Sequence, residues 1–397
     1  MEQLLTVQAY LLPSITDGFR RFLADQIDWR NRLIGIKGPR GAGKTTLMLQ
    51  RMKYGGHLRD SLYVSADHPY FYQHQLYELG ADFVQQGGTH LYIDEVHKYP
   101  HWARELKSLY DSFPQLSIVF SSSSALEIFQ GEADLSRRVS IYELPGMSFR
   151  EYLRLHHGIE LPICSLTEVA TDHTTILANL PADFFPLPHF RAYLQTGYLP
   201  FSHGMDAREY LKRLQNIINT TLESDLMITQ GYSAANTQKI KRLLGAIAEM
   251  VPYEPNLSEL ARNLGIGRDT VLAYLQNLRQ ARLLNFLYSH KKGISGLRKP
   301  HKVLLENPNL SYAFHAAPNA GTLRESFALG QLINAGLSVA QPPTGDLLIA
   351  DTWTVEIGGK SKDGRQLQGI SSSFVAADGI SMGGPGKIPL WLLGCLY

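Results

Sequence analysis

Eight residues, Gly38-Pro39-Arg40-Gly41-Ala42-Gly43-Lys44-Thr45, constrain the fold of this chain more than any others. They fit the pattern G-x-x-x-x-G-K-[S/T], in which each position answers a physical need. Glycines let the main chain wrap closely around phosphate oxygens with its N–H groups turned inward. A lysine reaches the β- and γ-phosphates, and a hydroxyl in the last position can ligate Mg²⁺. Such a loop needs a buried strand before it and a helix behind it whose N-terminus faces the anion. Arg32-Leu33-Ile34-Gly35-Ile36-Lys37 reads as that strand, and Thr45 to Met52 as that helix. The expected nucleotide contacts are Gly38, Pro39, Arg40, Gly41, Ala42, Gly43, Lys44, Thr45 and Thr46, and the fold class expected is α/β.

A phosphate loop of this kind needs a carboxylate for the metal's shell, placed at the end of another buried strand. His90-Leu91-Tyr92-Ile93-Asp94-Glu95 offers it. Asp94 would share Mg²⁺ with Thr45, and Glu95 would polarise the attacking water. A third strand, Leu116 to Phe120, runs into Ser121-Ser122-Ser123-Ser124, serines that also suit a helix N-cap. Downstream, Asp134-Leu135-Ser136-Arg137-Arg138-Val139 carries two arginines, either of which could stabilise γ-phosphate charge, in its own chain or in a neighbour.

Together with Leu144-Pro145-Gly146-Met147-Ser148-Phe149-Arg150-Glu151-Tyr152-Leu153 and Tyr193-Leu194-Gln195-Thr196-Gly197-Tyr198-Leu199-Pro200, these motifs make a recognisable set. The chain resembles the prokaryotic AAA-type P-loop ATPases that carry a winged-helix segment and a C-terminal restriction-endonuclease-like domain of unknown function. The resemblance covers nearly the whole chain. It implies ATP as the nucleotide with Mg²⁺, a γ-phosphate-sensing polar residue in the serine run (Ser122 is favoured), and Arg137 or Arg138 acting across a homo-oligomer or other protein contact. Lys44, Glu95, Ser122, Arg137 and Arg138 are then the expected catalytic set.

Composition fits this reading. A chain of 397 residues has room for two to three domains, and 44% hydrophobic with 19% charged residues describes a globular protein. Its two cysteines, Cys164 and Cys395, cannot build a disulfide framework, which points to a reducing compartment. No apolar run is long enough to cross a bilayer, and Met1-Glu2-Gln3-Leu4-Leu5 lacks a basic signal-peptide start, so a cytoplasmic location without membrane contact is expected. Net charge is only +2, but His290 to Lys302 gathers Lys291, Lys292, Arg298, Lys299 and Lys302 with no acid. The histidines are scattered; His97 and His101 read as surface or structural residues rather than metal ligands.

Four segments follow. Residues 1–160 form the ATPase core, led by a helical stretch with Phe19, Phe22, Leu23 and Ile27 on one face. Residues 161–232, interrupted by Pro162, Pro181, Pro186 and Pro188, form a helical lid. Residues 233–306 read as a winged helix: Leu257 to Leu264, a turn at Gly265, a second helix striped by Val271, Leu272, Leu275 and Leu278, then two strands around the basic loop. Such a fold serves either DNA or a protein partner; DNA would be contacted through wing lysines on phosphates and through Arg268, Asn277 and Arg279. Residues 307–397 form an α/β nuclease-like domain. Asp346 and Glu356, with Glu325 upstream, resemble the PD-(D/E)xK layout and make a possible second metal site. Gly358 stands where that layout has its lysine, leaving Lys360 or Lys362 to substitute from a glycine-hinged turn, so little DNA cleavage is expected. Three functions fit the sequence: an ATP-driven switch or motor, an ATP-gated metal-dependent nuclease, and a regulatory ATP sensor. The intact Asp94-Glu95 pair favours the first.

Overall fold

The computed structural model describes the chain except for residues 123–134, 136, 182, 227–230 and 291–298. Two compact units divide it, Met1–Gly146 and Met147–Tyr397. The first is built on a parallel sheet of β1 (Leu33–Lys37), β2 (Ser61–Ser65), β3 (His90–Asp94), β4 (Ser117–Ser122) and β5 (Ser140–Glu143), in the order β2-β3-β4-β1-β5. Parallel strands are joined by crossovers that cover both faces, so their side chains are buried on both sides. Leu33, Ile34 and Ile36 in β1, Leu91 and Ile93 in β3, and Ile118 and Phe120 in β4 are all buried. The amphipathic helices Leu76–Gln85 and Trp102–Ser112 add Leu76, Leu79, Phe83, Trp102, Leu106 and Leu109 to the same core. Because β4 lies between β3 and β1, Asp94, the Ser121-Ser122 pair and the loop after Lys37 line one edge of the sheet. Ligands of open α/β sheets bind at that edge, outside the carboxyl ends of the strands.

The lead-in departs from the helical reading. A helix covers Glu2–Leu11, but Phe22, Leu23 and Ile27 are buried around a single turn, Leu23–Gln26, and Phe19 lies outside it. The physical reason is competition for backbone carbonyls. Gln50 Nε2 donates to Thr16 O and Phe19 O, each at 2.8 Å, and Lys53 Nζ donates to Leu12 O at 2.8 Å and Ile15 O at 2.6 Å. Side chains of the helix Lys44–Tyr54 thus satisfy carbonyls that a continuous lead-in helix would have used itself.

The second unit opens with the helix Phe149–His157, capped by Ser148 and Glu151 in a reciprocal capping box. Phe149 is fully buried among the rings of Tyr152, Phe190, Tyr193 and Trp391. The two sequence motifs of this region meet: Tyr193 donates through its hydroxyl to Met147 O at 2.6 Å, and Met147 N–H donates to Tyr198 O at 2.6 Å. Their conspicuous residue pattern therefore serves packing within this unit.

Further along, the helices Leu257–Leu264 and Arg268–Gln280 flank Gly265, whose φ of 62° is the left-handed conformation the turn requires. Then come β6 (Leu284–Ser289) and β7 (Lys302–Leu305), an antiparallel hairpin whose connecting residues 291–298 lie outside the described set. The hairpin is the edge of a sheet of seven strands, completed by β8 (Val339–Gln341), β9 (Leu347–Ile349), β10 (Trp353–Gly358), β11 (Ser373–Ala377) and β12 (Lys387–Pro389) in the order β12-β11-β10-β9-β8-β6-β7. β6 and β8 run parallel, with Tyr288 beside Ala340. The helix–turn–helix region and the C-terminal strands therefore share one hydrogen-bonded sheet.

Candidate active site

Loop geometry explains the glycines between β1 and its helix. Gly41 and Gly43 have φ of 78° and 95°, where any side chain is strained. At Gly38 a Cβ would lie 2.1 Å from Leu144 O, so backbone approach excludes one. Arg21, buried, braces the loop by donating to Ala42 O, and also donates to Pro145 O at 2.8 Å and Gly146 O at 3.0 Å. Lys44, also buried, donates through Nζ to Gly38 O and Pro39 O, each at 2.9 Å. Its ammonium is thus folded back over the loop that would carry phosphate.

Asp94, at the end of β3, is 4% exposed and accepts from four donors. Thr45 Oγ1 donates to Oδ2 at 2.5 Å and Tyr63 Oη to Oδ2 at 3.0 Å. Ser121 Oγ and the Glu95 N–H donate to Oδ1, the latter at 3.1 Å. Burial beside this carboxylate raises the Tyr63 phenol far above its ordinary range, so it stays protonated as a donor. Thr45 and Asp94 fit a hard cation: two oxygen donors, already in contact, at the helix N-terminus. Among the described residues no group of three or more His, Cys, Asp or Glu side chains could hold a metal ion. A site here would be completed by phosphate and water, as Mg²⁺ sites commonly are.

Glu95 has a φ of 52°, left-handed for a residue with a side chain, a strain that clusters at functional sites. Its Oε2 lies 3.5 Å from Arg40 Nη1 and 3.7 Å from His97 Nε2. His97, buried rather than on the surface, places Nδ1 3.2 Å from Ser122 Oγ. The two serines thus divide their contacts, Ser121 facing Asp94 and Ser122 reaching Glu95 through His97. Lys44, Thr45, Asp94, Glu95 and Ser122 come together.

The two arginines lie elsewhere. β5 starts at Ser140 beside Ile34, so Arg137 and Arg138 precede it at the end of the sheet where strands begin, opposite the phosphate loop. Arg138 pairs with Asp111, Nε to Oδ1 at 2.8 Å and Nη2 to Oδ2 at 3.1 Å, and Arg137 is exposed. In the second unit Arg268 and Arg279 are exposed, but Asn277 is buried and donates to Tyr232 Oη at 2.6 Å, which removes it from the base-reading candidates. Lys302 is engaged by Glu325 at 2.8 Å, Lys299 is exposed, and Lys291, Lys292 and Arg298 lie outside the described residues. Asp346 stands just before β9 with its N–H donating to Val355 O at 2.9 Å, Glu356 lies in β10, and of the two substitute lysines it is Lys362 whose Nζ reaches Glu356 Oε1, at 2.6 Å.

Comparison with known proteins agrees on the first unit. The AAA domain family matches residues 30–153, and a domain of unknown function, DUF8612, matches residues 187–317. Residues 30–153 are an AAA-type P-loop ATPase domain, a class that binds and hydrolyses ATP. Among solved structures the chain is similar to the Walker-type ATPase PABY2304 of Pyrococcus abyssi, at 13% identity over 75% of this chain and 95% of that one, with a TM-score of 0.45. It is also similar to C. elegans PCH-2, at 14% identity over 68% of each chain and a TM-score of 0.25. A third is the S. cerevisiae Hsp104–ADP complex, at 16% identity over 70% of this chain and 41% of that one, with a TM-score of 0.32. No curated protein matches the chain. No described helix is long and apolar enough to cross a membrane.

Proposed function

We propose that this chain is a cytoplasmic, Mg²⁺-dependent ATP hydrolase that acts as a nucleotide-driven switch or motor, with its helix–turn–helix region contacting DNA. The observation that carries the hydrolase reading is Thr45 Oγ1 lying 2.5 Å from Asp94 Oδ2 with the strained Glu95 next in the chain. Thr45 and Asp94 would hold Mg²⁺, whose chemistry is to neutralise charge on the β- and γ-phosphates. Lys44 would leave its loop carbonyls for the phosphate oxygens. Glu95 would take the proton of a water whose oxygen bonds to the γ-phosphorus as the bond to the bridging oxygen breaks. Arg40 and His97 hold the Glu95 carboxylate in place. Arg137 or Arg138, far from the loop of their own chain, would act on a neighbouring subunit.

Lys44→Ala should weaken ATP binding, and Glu95→Gln should keep binding yet lose turnover by about 100-fold or more, since an amide cannot take a proton. Equal phosphate release by wild type and Glu95→Gln would refute the assignment. A DNA-cleavage assay on the same samples separates this reading from an ATP-gated nuclease, and absence of any turnover would leave an ATP sensor.

A further inference from the structure

Arg40 stands inside the glycine loop, yet its side chain reaches Glu95. Its Nη1 lies 3.5 Å from Glu95 Oε2, and the two side chains are 21% and 22% exposed, so the pair is shielded but still open to a ligand. The other cation of the loop takes a different course: Lys44 Nζ rests on Gly38 O and Pro39 O, each at 2.9 Å. One cation therefore lies over the first residues of the loop, and the other lies against the carboxylate that follows Asp94. Asp94 in turn accepts from Thr45 Oγ1 at 2.5 Å. Arg40 is thus on the side of the site where base, metal ligands and terminal phosphate would meet.

The loop backbone holds position 40 in place. A proline precedes it and fixes its own φ. Gly38 packs against Leu144 O too closely for a side chain, and Arg21 braces the following turn through Ala42 O. The side chain of Arg40 is what can adjust. A guanidinium carries five N–H donors in a planar fork, so a contact with Glu95 does not exhaust it, and the same fork matches phosphate oxygens. It also keeps its charge at every working pH. Arg137 and Arg138, by contrast, precede β5 at the opposite end of the sheet.

We propose that Arg40 is a catalytic residue of its own chain's site: its guanidinium bridges Glu95 and an oxygen of the γ-phosphate, and supplies positive charge there as the bond to the bridging oxygen breaks. The proposal rests on the hydrolase reading above and adds no bond or proton to that step. Glu95 takes the proton of the water, and Arg40 keeps its charge throughout. Negative charge is spread over the γ-phosphoryl oxygens in the transition state, and a preorganised cation beside them is worth more than the same cation in water. The bridge also fixes the separation of base and phosphate, which a water held between them needs for attack. A neighbour's arginine would add to this charge rather than supply all of it.

The test uses the full chain with Mg²⁺ and three readouts: displacement of a fluorescent ATP analogue, phosphate release in a single turnover, and capture of ADP with aluminium fluoride, a mimic of the γ-phosphoryl transition state. Arg40→Ala should bind ATP within about three-fold of wild type yet release phosphate about 1,000-fold more slowly, the order a transition-state arginine contributes. The loss should be the same at every protein concentration, unlike one caused by an arginine from a neighbour. Glu95→Gln separates charge from positioning: that variant should still capture ADP with aluminium fluoride, and adding Arg40→Ala to it should abolish the capture. Capture that survives in the double variant would make Arg40 only a brace for Glu95 and overturn the proposal. So would wild-type turnover in Arg40→Ala. A wild type that neither turns over nor captures the mimic would instead sink the hydrolase reading, and the proposal with it. Circular dichroism establishes that each variant is folded. If Arg40→Ala is not, Arg40→Lys carries the test, because a point charge lacks the fork: weakened capture in the Glu95→Gln background is expected, and unchanged capture overturns the proposal.

Discussion

Tyr63→Phe isolates the least visible member of the nucleotide site. The substitution removes one oxygen and otherwise keeps the shape of a residue 5% exposed in β2. What it removes is a hydroxyl donating at 3.0 Å to Asp94 Oδ2, a hydrogen bond to a charged acceptor in a buried place. Bonds of that kind contribute about 1.5–3 kcal/mol to stability. The first unit, Met1–Gly146, is of a size where 1 kcal/mol moves the melting temperature by about 2–4 °C, so its transition should fall by roughly 3–12 °C. Because the Tyr63 phenol ionises far above its ordinary range, the loss should persist into mildly alkaline buffers. ATP turnover should survive at saturating Mg²⁺, but the Mg²⁺ needed for half-maximal rate should rise about ten-fold, since groups that orient a metal-binding carboxylate tune its affinity by that order. Differential scanning calorimetry and a Mg²⁺ titration of phosphate release read both effects. A melting temperature within about 1 °C of wild type, with an unchanged Mg²⁺ requirement, would show that Tyr63 does not hold Asp94.

Arg138→Ala gives up an exposed pair with Asp111, so stability should change little. Turnover should fall while ATP affinity holds, and wild-type turnover per chain should rise with protein concentration; concentration-independent turnover in a confirmed monomer would remove the role in a neighbour. Replacing Lys291, Lys292, Arg298 and Lys299 with Glu should weaken DNA binding and flatten its salt dependence, as fewer counterions are released; unchanged affinity in gel-shift titrations would exclude the hairpin as the contact. Burial, with His203 and His157 close by, lowers His156 from 6.5 to about 4 in the folded chain. The unfolded ring therefore takes up its proton first. Stability from this group is full above pH 6.5 and should decline as pH falls towards 4, a slope that denaturant titrations should find reduced in His156→Asn.

Legibility follows chemistry. β1, β3 and β4 are readable because each runs into residues that a nucleotide requires, namely the glycine loop, Asp94-Glu95 and the serines. β2 and β5 carry no such mark, and Ser61-Leu62-Tyr63-Val64-Ser65 is too short for its alternation to announce a strand. The contacts of Tyr63, His97 and Arg21 are hidden for the same reason, since their partners lie 31, 25 and 21 residues away and only folding supplies them. The lead-in reads as a longer helix than it is because Phe19, Phe22, Leu23 and Ile27 do share a helical spacing. Nothing local reveals that Gln50 and Lys53 claim the intervening carbonyls. Asn277 shows the opposite limit: a polar residue on a helix looks available until Tyr232 is found against it. Between Lys360 and Lys362, spacing cannot choose; the space left by the missing side chain at Gly358 does.

The pairing of β6 with β8 has a mechanical consequence. A hairpin that merely followed a helix–turn–helix could flex on its own, like a finger. Here the hydrogen bonds linking Tyr288 and Ser289 to Ala340 and Gln341 join it to a plate that reaches β10 and β12. Bending β6 independently of β8 would break that ladder, so a pull on β6 is passed sideways through β8 and β9 to β10. Shear applied to β6 would thus reach β10 directly, across four neighbouring strands.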